Sequence, residues 1–235
     1  MPTLQLAADE RRKSTRQGER SEMRKLKLVL LAVFAVAALS AVAAATASAA
    51  LPEFLPGNAG EKFTGKSGSG TLEVPGEGPI VCKEDSVTGE NVGTTKKEAL
   101  ALITFKGCTV FGFIGAKSLG DAEGTILVHA ELKLCYISKA NKEVGVLTKV
   151  LPVHIEVAGK LIVVEGDQVG KITPVNTSTT KYSIKYEQKE GKPKPEGCEG
   201  EKEHYTASVN EGTPKESGEA TTEETTYEKA QTLDA

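Results

Sequence analysis

Residues 60–67 read GEKFTGKS, which meets the phosphate-binding pattern G-x-x-x-x-G-K-[ST] letter for letter. In a working loop of that kind the lysine, here Lys66, reaches phosphate, and the hydroxyl of Ser67 reaches a magnesium ion. The loop must also follow a buried strand and open a helix, whose N-terminus holds the anion. Here LPEFLPGNA precedes the motif and GSGTLEVPGEGP follows it, and the glycines and prolines of the second stretch forbid a stable helix. The match is therefore expected to be a glycine-rich lead-in to a strand, with no nucleotide bound. Acid–base chemistry has three histidines to draw on, His129, His154 and His204. There is no G-x-S-x-G elbow and no H-E-x-x-H helix. Paired carboxylates such as Glu223-Glu224 lie in an acidic run and need no catalytic reading.

The four cysteines, Cys82, Cys108, Cys135 and Cys198, are widely spaced and even in number. Zinc sites bring ligands in close pairs such as C-x₂-C, and no such pair occurs here. Disulfides are the better reading, with three pairings open in principle. Sequential pairing, Cys82 with Cys108 and Cys135 with Cys198, closes the shortest loops. On the chain-entropy account those loops would stabilise the fold by roughly 3.6 and 4.3 kcal/mol. No catalytic, cofactor-binding or metal-binding residue is assigned from spacing.

A framework of disulfides needs an oxidising compartment, and the N-terminus agrees. Met23-Arg24-Lys25-Leu26-Lys27 is basic, Leu28 to Val42 is apolar, and AAATASAA follows to Ala50. These are the three parts of a secretory signal peptide, with cleavage expected after Ala47-Ser48-Ala49. The expected division is then residues 1–22 as a mis-assigned upstream extension, 23–49 as the signal peptide and 50–235 as the mature domain. An uncleaved anchor is the rival, since the 23 uncharged residues from Leu28 to Ala50 are long enough to span a bilayer. Only in that case is a membrane a partner.

The leader carries eight basic and four acidic residues, against 29 Lys and Arg and 32 Asp and Glu in the whole chain. Removing it leaves a net charge of about −7, which disfavours nucleic acid and anionic membrane surfaces as partners. The chain has no Trp, six Phe and five Tyr, too few for an obvious stacking platform for sugars. Tyr182 and Tyr186 share a strand face with Ile184, which makes them packing residues.

The elements that must position any site are strands. In TILVHAELKLCYI, Ile126, Val128, Ala130, Leu132, Leu134 and Tyr136 alternate with a more polar face that carries His129 and Cys135. ALALITFKGC, KYSIKYEQKEG and HYTASVNEG alternate likewise, and PVHIEVAGKLIVVEG reads as a hairpin turning at Ala158-Gly159. Thr95 to Ile103 is ambiguous, because Lys96, Lys97, Glu98 and Ala99 favour a helix. GKPKPEGCEGEKE reads as a loop pinned by Cys198. Residues 211–235 are acidic and Thr-rich; the expectation is a final strand near Thr221 to Glu228, with a mobile tail as the alternative. The whole is expected to be all-β, an antiparallel sandwich or barrel-like domain, with two sub-domains an option at this length.

The pieces FTGKSGSGTLEV, PIVCK, TFKGC and KITPVNT, in this order, resemble a group of uncharacterised secreted proteins from soil actinobacteria. That resemblance implies export and a disulfide-bearing β fold, and lends no catalytic residue. The functional expectation is a secreted or cell-envelope domain that binds an extracellular or cell-wall partner or serves a structural role. The alternative is an extracellular hydrolase in which His129 or His154 meets a Ser and a carboxylate in one pocket.

Overall fold

A computed structural model describes residues 52–94 and 96–235. The expected signal peptide and upstream extension lie outside these residues. Sixteen strands, numbered in chain order, and no helix occur among the described residues. All the strand pairings are antiparallel and join them into one large sheet.

Eight of these strands pair in a circle. They are β2 (Lys62–Ser67), β5 (Glu84–Val92), β6 (Glu98–Lys106), β9 (Thr125–Ser138), β10 (Glu143–Val157), β11 (Lys160–Thr173), β12 (Ser178–Lys189) and β16 (Glu219–Asp234). Each pairs with the next, and β16 pairs back onto β2. Closure removes the exposed edges that an open sheet would offer to other chains. The alternating sequences explain why the ring forms, since period-two patterning gives each strand one apolar face to turn inward. The ambiguous 95–103 stretch contributes β6, because Ala99, Ala101 and Ile103 meet the core at that period. Tertiary burial overrides local helix preference there.

A second tier grows from the same long strands. β3 (Gly70–Leu72), β4 (Ile80–Cys82), β7 (Thr109–Val110) and β8 (Ile114–Ser118) form a chain of pairings from β16 to β10. β14 (Tyr205–Val209) lines the early part of β11, and β15 (Lys215–Glu216) lines β14. Two apolar cores result. One gathers Ile80, Ile126, Val128, Val150, Ile155, Ile162, Val164 and Tyr205. The other gathers Phe54, Phe63, Leu134, Val146, Ile184, Tyr227 and Leu233 around the buried ring of Tyr182, and Ile103 touches both. The two cores belong to one compact unit.

Three strands change partner between the tiers. β16 leaves β3 after Ala220 and joins β2 at Glu223; β10 leaves β9 at Val150 and joins β8 at Ile155. β11 leaves β14 at Gly166 and joins β12 at Lys171. These seams form a waist.

The acidic C-terminal stretch is a full wall strand, longer than expected. Thr221, Glu223, Thr225, Tyr227, Gln231 and Leu233 are buried on its inner side. β1 (Glu53–Leu55) pairs with the end of this same strand. The β10–β11 hairpin turns at Ala158-Gly159 with both φ angles positive, 50° and 79°, as a two-residue turn between twisted strands requires. The cysteines pair as Cys82–Cys108 and Cys135–Cys198, with S–S distances of 2.10 and 2.09 Å. The expected loop at 191–203 opens with a short strand, β13 (Lys192–Lys194), which pairs with β12. The second bridge binds the segment after it to β9, in a small cluster with Val169 separate from the two main cores.

Candidate functional site

The phosphate-loop match lies on β2, a strand in the barrel wall and not a loop. Alternation along β2 turns Lys66 out to solvent and leaves Gly65 and Ser67 partly buried. Gly65 is needed for space: a Cβ there would lie 2.3 Å from Glu223 Oε1. Ser67 Oγ donates to Asp85 Oδ2. No helix follows, so the arrangement has nothing with which to cradle phosphate. His129, His154 and His204 are all exposed, and none lines the waist cavity described below. They lie on three separate stretches of the chain, β9, β10 and the residues just before β14.

What the fold does bring together lies at the waist. A cavity of about 60 Å³ is walled by Ile103, Phe105, Ile126, Val128, Val150 and Ile155 on its apolar side. Its polar side holds Asp85 from β5, Glu219, Thr221 and Glu223 from β16, Gln168 from β11, and Thr148, Tyr186 and Tyr205. No Lys, Arg or His lines it.

Several of these polar groups are held by identifiable contacts. Gln168 is 3% exposed, and its amide donates to the Glu219 carbonyl (2.7 Å) and accepts from the Glu219 N–H (3.0 Å). The side chain thus supplies the ladder rung missing where β11 lies between partners. Tyr186 Oη and Thr148 Oγ1 are 2.7 Å apart, linking β12 to β10. Thr225 Oγ1 donates to Glu223 Oε1 at 2.7 Å. Asp85 Oδ1 and Thr221 Oγ1, on residues 6% and 8% exposed, have no hydrogen-bond partner.

Burial governs the proton affinity of these acids, because a charge is poorly solvated there. It lifts Glu219 to about 8, with the charges of Asp85 and Glu223 adding to the effect. Glu219 keeps part of its surface uncovered at the seam, yet its carboxyl is deep enough for burial to dominate. Burial lifts Glu223 to about 7, opposed by the Thr225 hydroxyl and reinforced by Asp85. Asp85 is raised by burial, with Ser67 holding it down in part. The hydroxyls of Tyr186 and Tyr205 are pushed up by burial as well. The carboxyls do not converge as metal ligands: no group of three His, Cys, Asp or Glu among the described residues is arranged for a metal.

The acidic run that holds Glu223-Glu224 is divided between two environments. Alternation along β16 sends Glu224 outward and Glu223 into the cavity. Asp85, Glu219 and Gln168 were not singled out by sequence at all. A signal was present, since Asp85 and Glu223 share the strand phase of the core residues Val87 and Tyr227. Compared with known proteins, the chain matches no family model, no curated protein and no solved structure.

Proposed function

We propose that the chain is an extracytoplasmic binding domain that takes a small molecule into the waist cavity of its closed barrel. The observation that carries this reading is a cavity with one apolar wall and a few polar groups converging from four strands or more, the usual build of a small-ligand site. A barrel selected only for stability would fill that volume with apolar side chains. The two disulfides are consistent with an extracellular location. Export itself rests on the 23–49 segment, and N-terminal sequencing of the secreted protein should begin at or near Ala50. Recovery of a chain that retains Leu28 to Val42 would replace secretion with anchoring. Among the described residues no helix is long and apolar enough to cross a membrane.

Binding is tested by thermal shift against a panel of neutral and charged molecules of a few heavy atoms. A ligand that binds only the native state raises the midpoint with concentration. Val150→Phe, which fills the cavity, should abolish that rise. A panel without any saturable shift would defeat the reading.

A surface-binding module is the second reading. The β7–β8 hairpin tip exposes Phe111 (65%) and Phe113 (79%), and Leu119 is 66% exposed. Pull-down of a native partner lost in Phe113→Ser, with the cavity variant unaffected, would favour it.

A further inference from the structure

We propose that the waist cavity binds a protonated primary amine, an alkylammonium of about four to six non-hydrogen atoms, with its head among Asp85, Glu219 and Glu223 and its carbon chain along the apolar wall. This rests on the cavity-binding reading above and names the class of ligand.

Three observations lead to it. The polar side of the cavity is rich in acceptors and holds no cationic side chain. Asp85 Oδ1 is a buried acceptor without a donor, and Thr221 Oγ1 beside the same space is equally unpartnered. Leaving such groups unmet costs about 1–3 kcal/mol each, more for a charged one, so a ligand that meets them recovers that cost. An ammonium brings three N–H donors on one compact head, one of them for Asp85 Oδ1, and a positive charge that favours ionisation of the neighbouring carboxyls. A metal ion would compete for the charge, but the carboxyls are not arranged to coordinate one.

Size follows from volume. One water-sized group occupies roughly 10–15 Å³ on the measure that gives this cavity about 60 Å³, so about four to six fit. The apolar wall of Ile103, Phe105, Val128, Val150 and Ile155 suits a short hydrocarbon and would waste a polyol. The nearest surface depression lies at the seam of β16. It is lined by Gly68, Ser69, Lys185 and Gln188 and shares Tyr186 and Thr221 with the cavity.

Proton bookkeeping gives the proposal a signature. The titratable groups facing the head are Asp85 on β5, Glu219 and Glu223 on β16, Tyr186 on β12 and Tyr205 on β14; β2, β6, β9, β10 and β11 contribute none. The tyrosines stay neutral, since burial raises both. The ammonium enters with its proton, and a cavity carboxyl releases one to solvent to meet it. With carboxyls near 7 and 8, affinity should climb as pH rises between about 6 and 8.5.

The experiment is calorimetric titration of the full, oxidised chain with methyl-, butyl- and octylammonium, and with 1-butanol as the neutral counterpart. Butylammonium should bind best, gain about tenfold per unit of pH between 6 and 8, and lose at least tenfold in Asp85→Asn. Glu223→Gln is the second variant should the first fail to fold, and the unmodified chain carries the pH test by itself. If butanol binds as tightly as butylammonium with no pH dependence, the amine proposal is overturned while cavity binding stands. If neither saturates, both are lost.

Discussion

Glu223 is the residue on which the chemistry of the waist turns. Its native pKa of about 7, and the value of about 8 for Glu219, both lie above the ordinary 4.5 of the unfolded chain. The native state therefore keeps protons that the unfolded state has already released. Stability from this source is complete below about 4.5, declines as pH rises, and is gone above about 8. The midpoint of thermal unfolding should fall from pH 5 to pH 8.5, and Glu223→Gln should flatten that fall. At pH 8.5 the variant should be the more stable protein, by on the order of a few kcal/mol. A midpoint that rises over this interval would contradict the sign. Gly65 is tested beside it. Its Cβ would crowd the Glu223 carboxyl, so Gly65→Ala should destabilise by about 1–3 kcal/mol in urea unfolding. Lys66→Ala, on the exposed side of the same strand, should change stability by less than about 0.5 kcal/mol, and neither it nor the parent chain should show saturable ATP binding.

At the scale of elements, the β10–β11 hairpin asks for the left-handed region at Ala158, where a Cβ is costly. Ala158→Asn, the residue preferred in such turns, should stabilise by about 0.5–1 kcal/mol, read from the same urea midpoint. This hairpin was legible in sequence because its signal is local: alternating valines and isoleucines on either side of Ala158-Gly159. The strand at 126–137 was legible for the same reason, with each expected inward residue at least half-buried. β6 was obscured by good helix formers, since local preference knows nothing of the neighbours that bury Ala99 and Ala101. β16 was half legible. Its acidic composition suggested solvent, while its period of two, in phase with Tyr227, placed Glu223 among core positions. Composition averages over both faces of a strand, and only phase separates them. The seams had no sequence signal, because a change of partner depends on strands far apart in the chain.

At the scale of the molecule, the disulfides bind parts the sheet holds less firmly. Cys82–Cys108 ties β4 to the residue just before β7 in the second tier, and Cys135–Cys198 holds the segment between β13 and β14 to the barrel wall. Peptide mapping without reductant should recover those two linked pairs. Reduction should lower stability by roughly 3–4 kcal/mol per bridge, and four free thiols in the secreted protein would undo that account. The Cys135–Cys198 bridge packs against Val169, next to Gln168 at the waist. Reducing it should therefore weaken ligand binding as well as stability, whereas reducing Cys82–Cys108 alters the apolar end of the cavity, where Cys82 itself is part of the wall.

The pairing of β16 with β2 also sets an order of events in time. Glu223 lies opposite Ser67, so the wall between them closes only when chain segments more than a hundred residues apart have met. Contacts of such long range make folding slow, on the order of milliseconds to seconds for all-β chains. A chain emerging N-terminus first holds Asp85 on a sheet that is still open, and its partner carboxyls arrive with the last strand. Until then the exposed margins of β2 and β12 are the places where two half-folded copies could join. The cavity is thus complete only once the last strand has closed on β2.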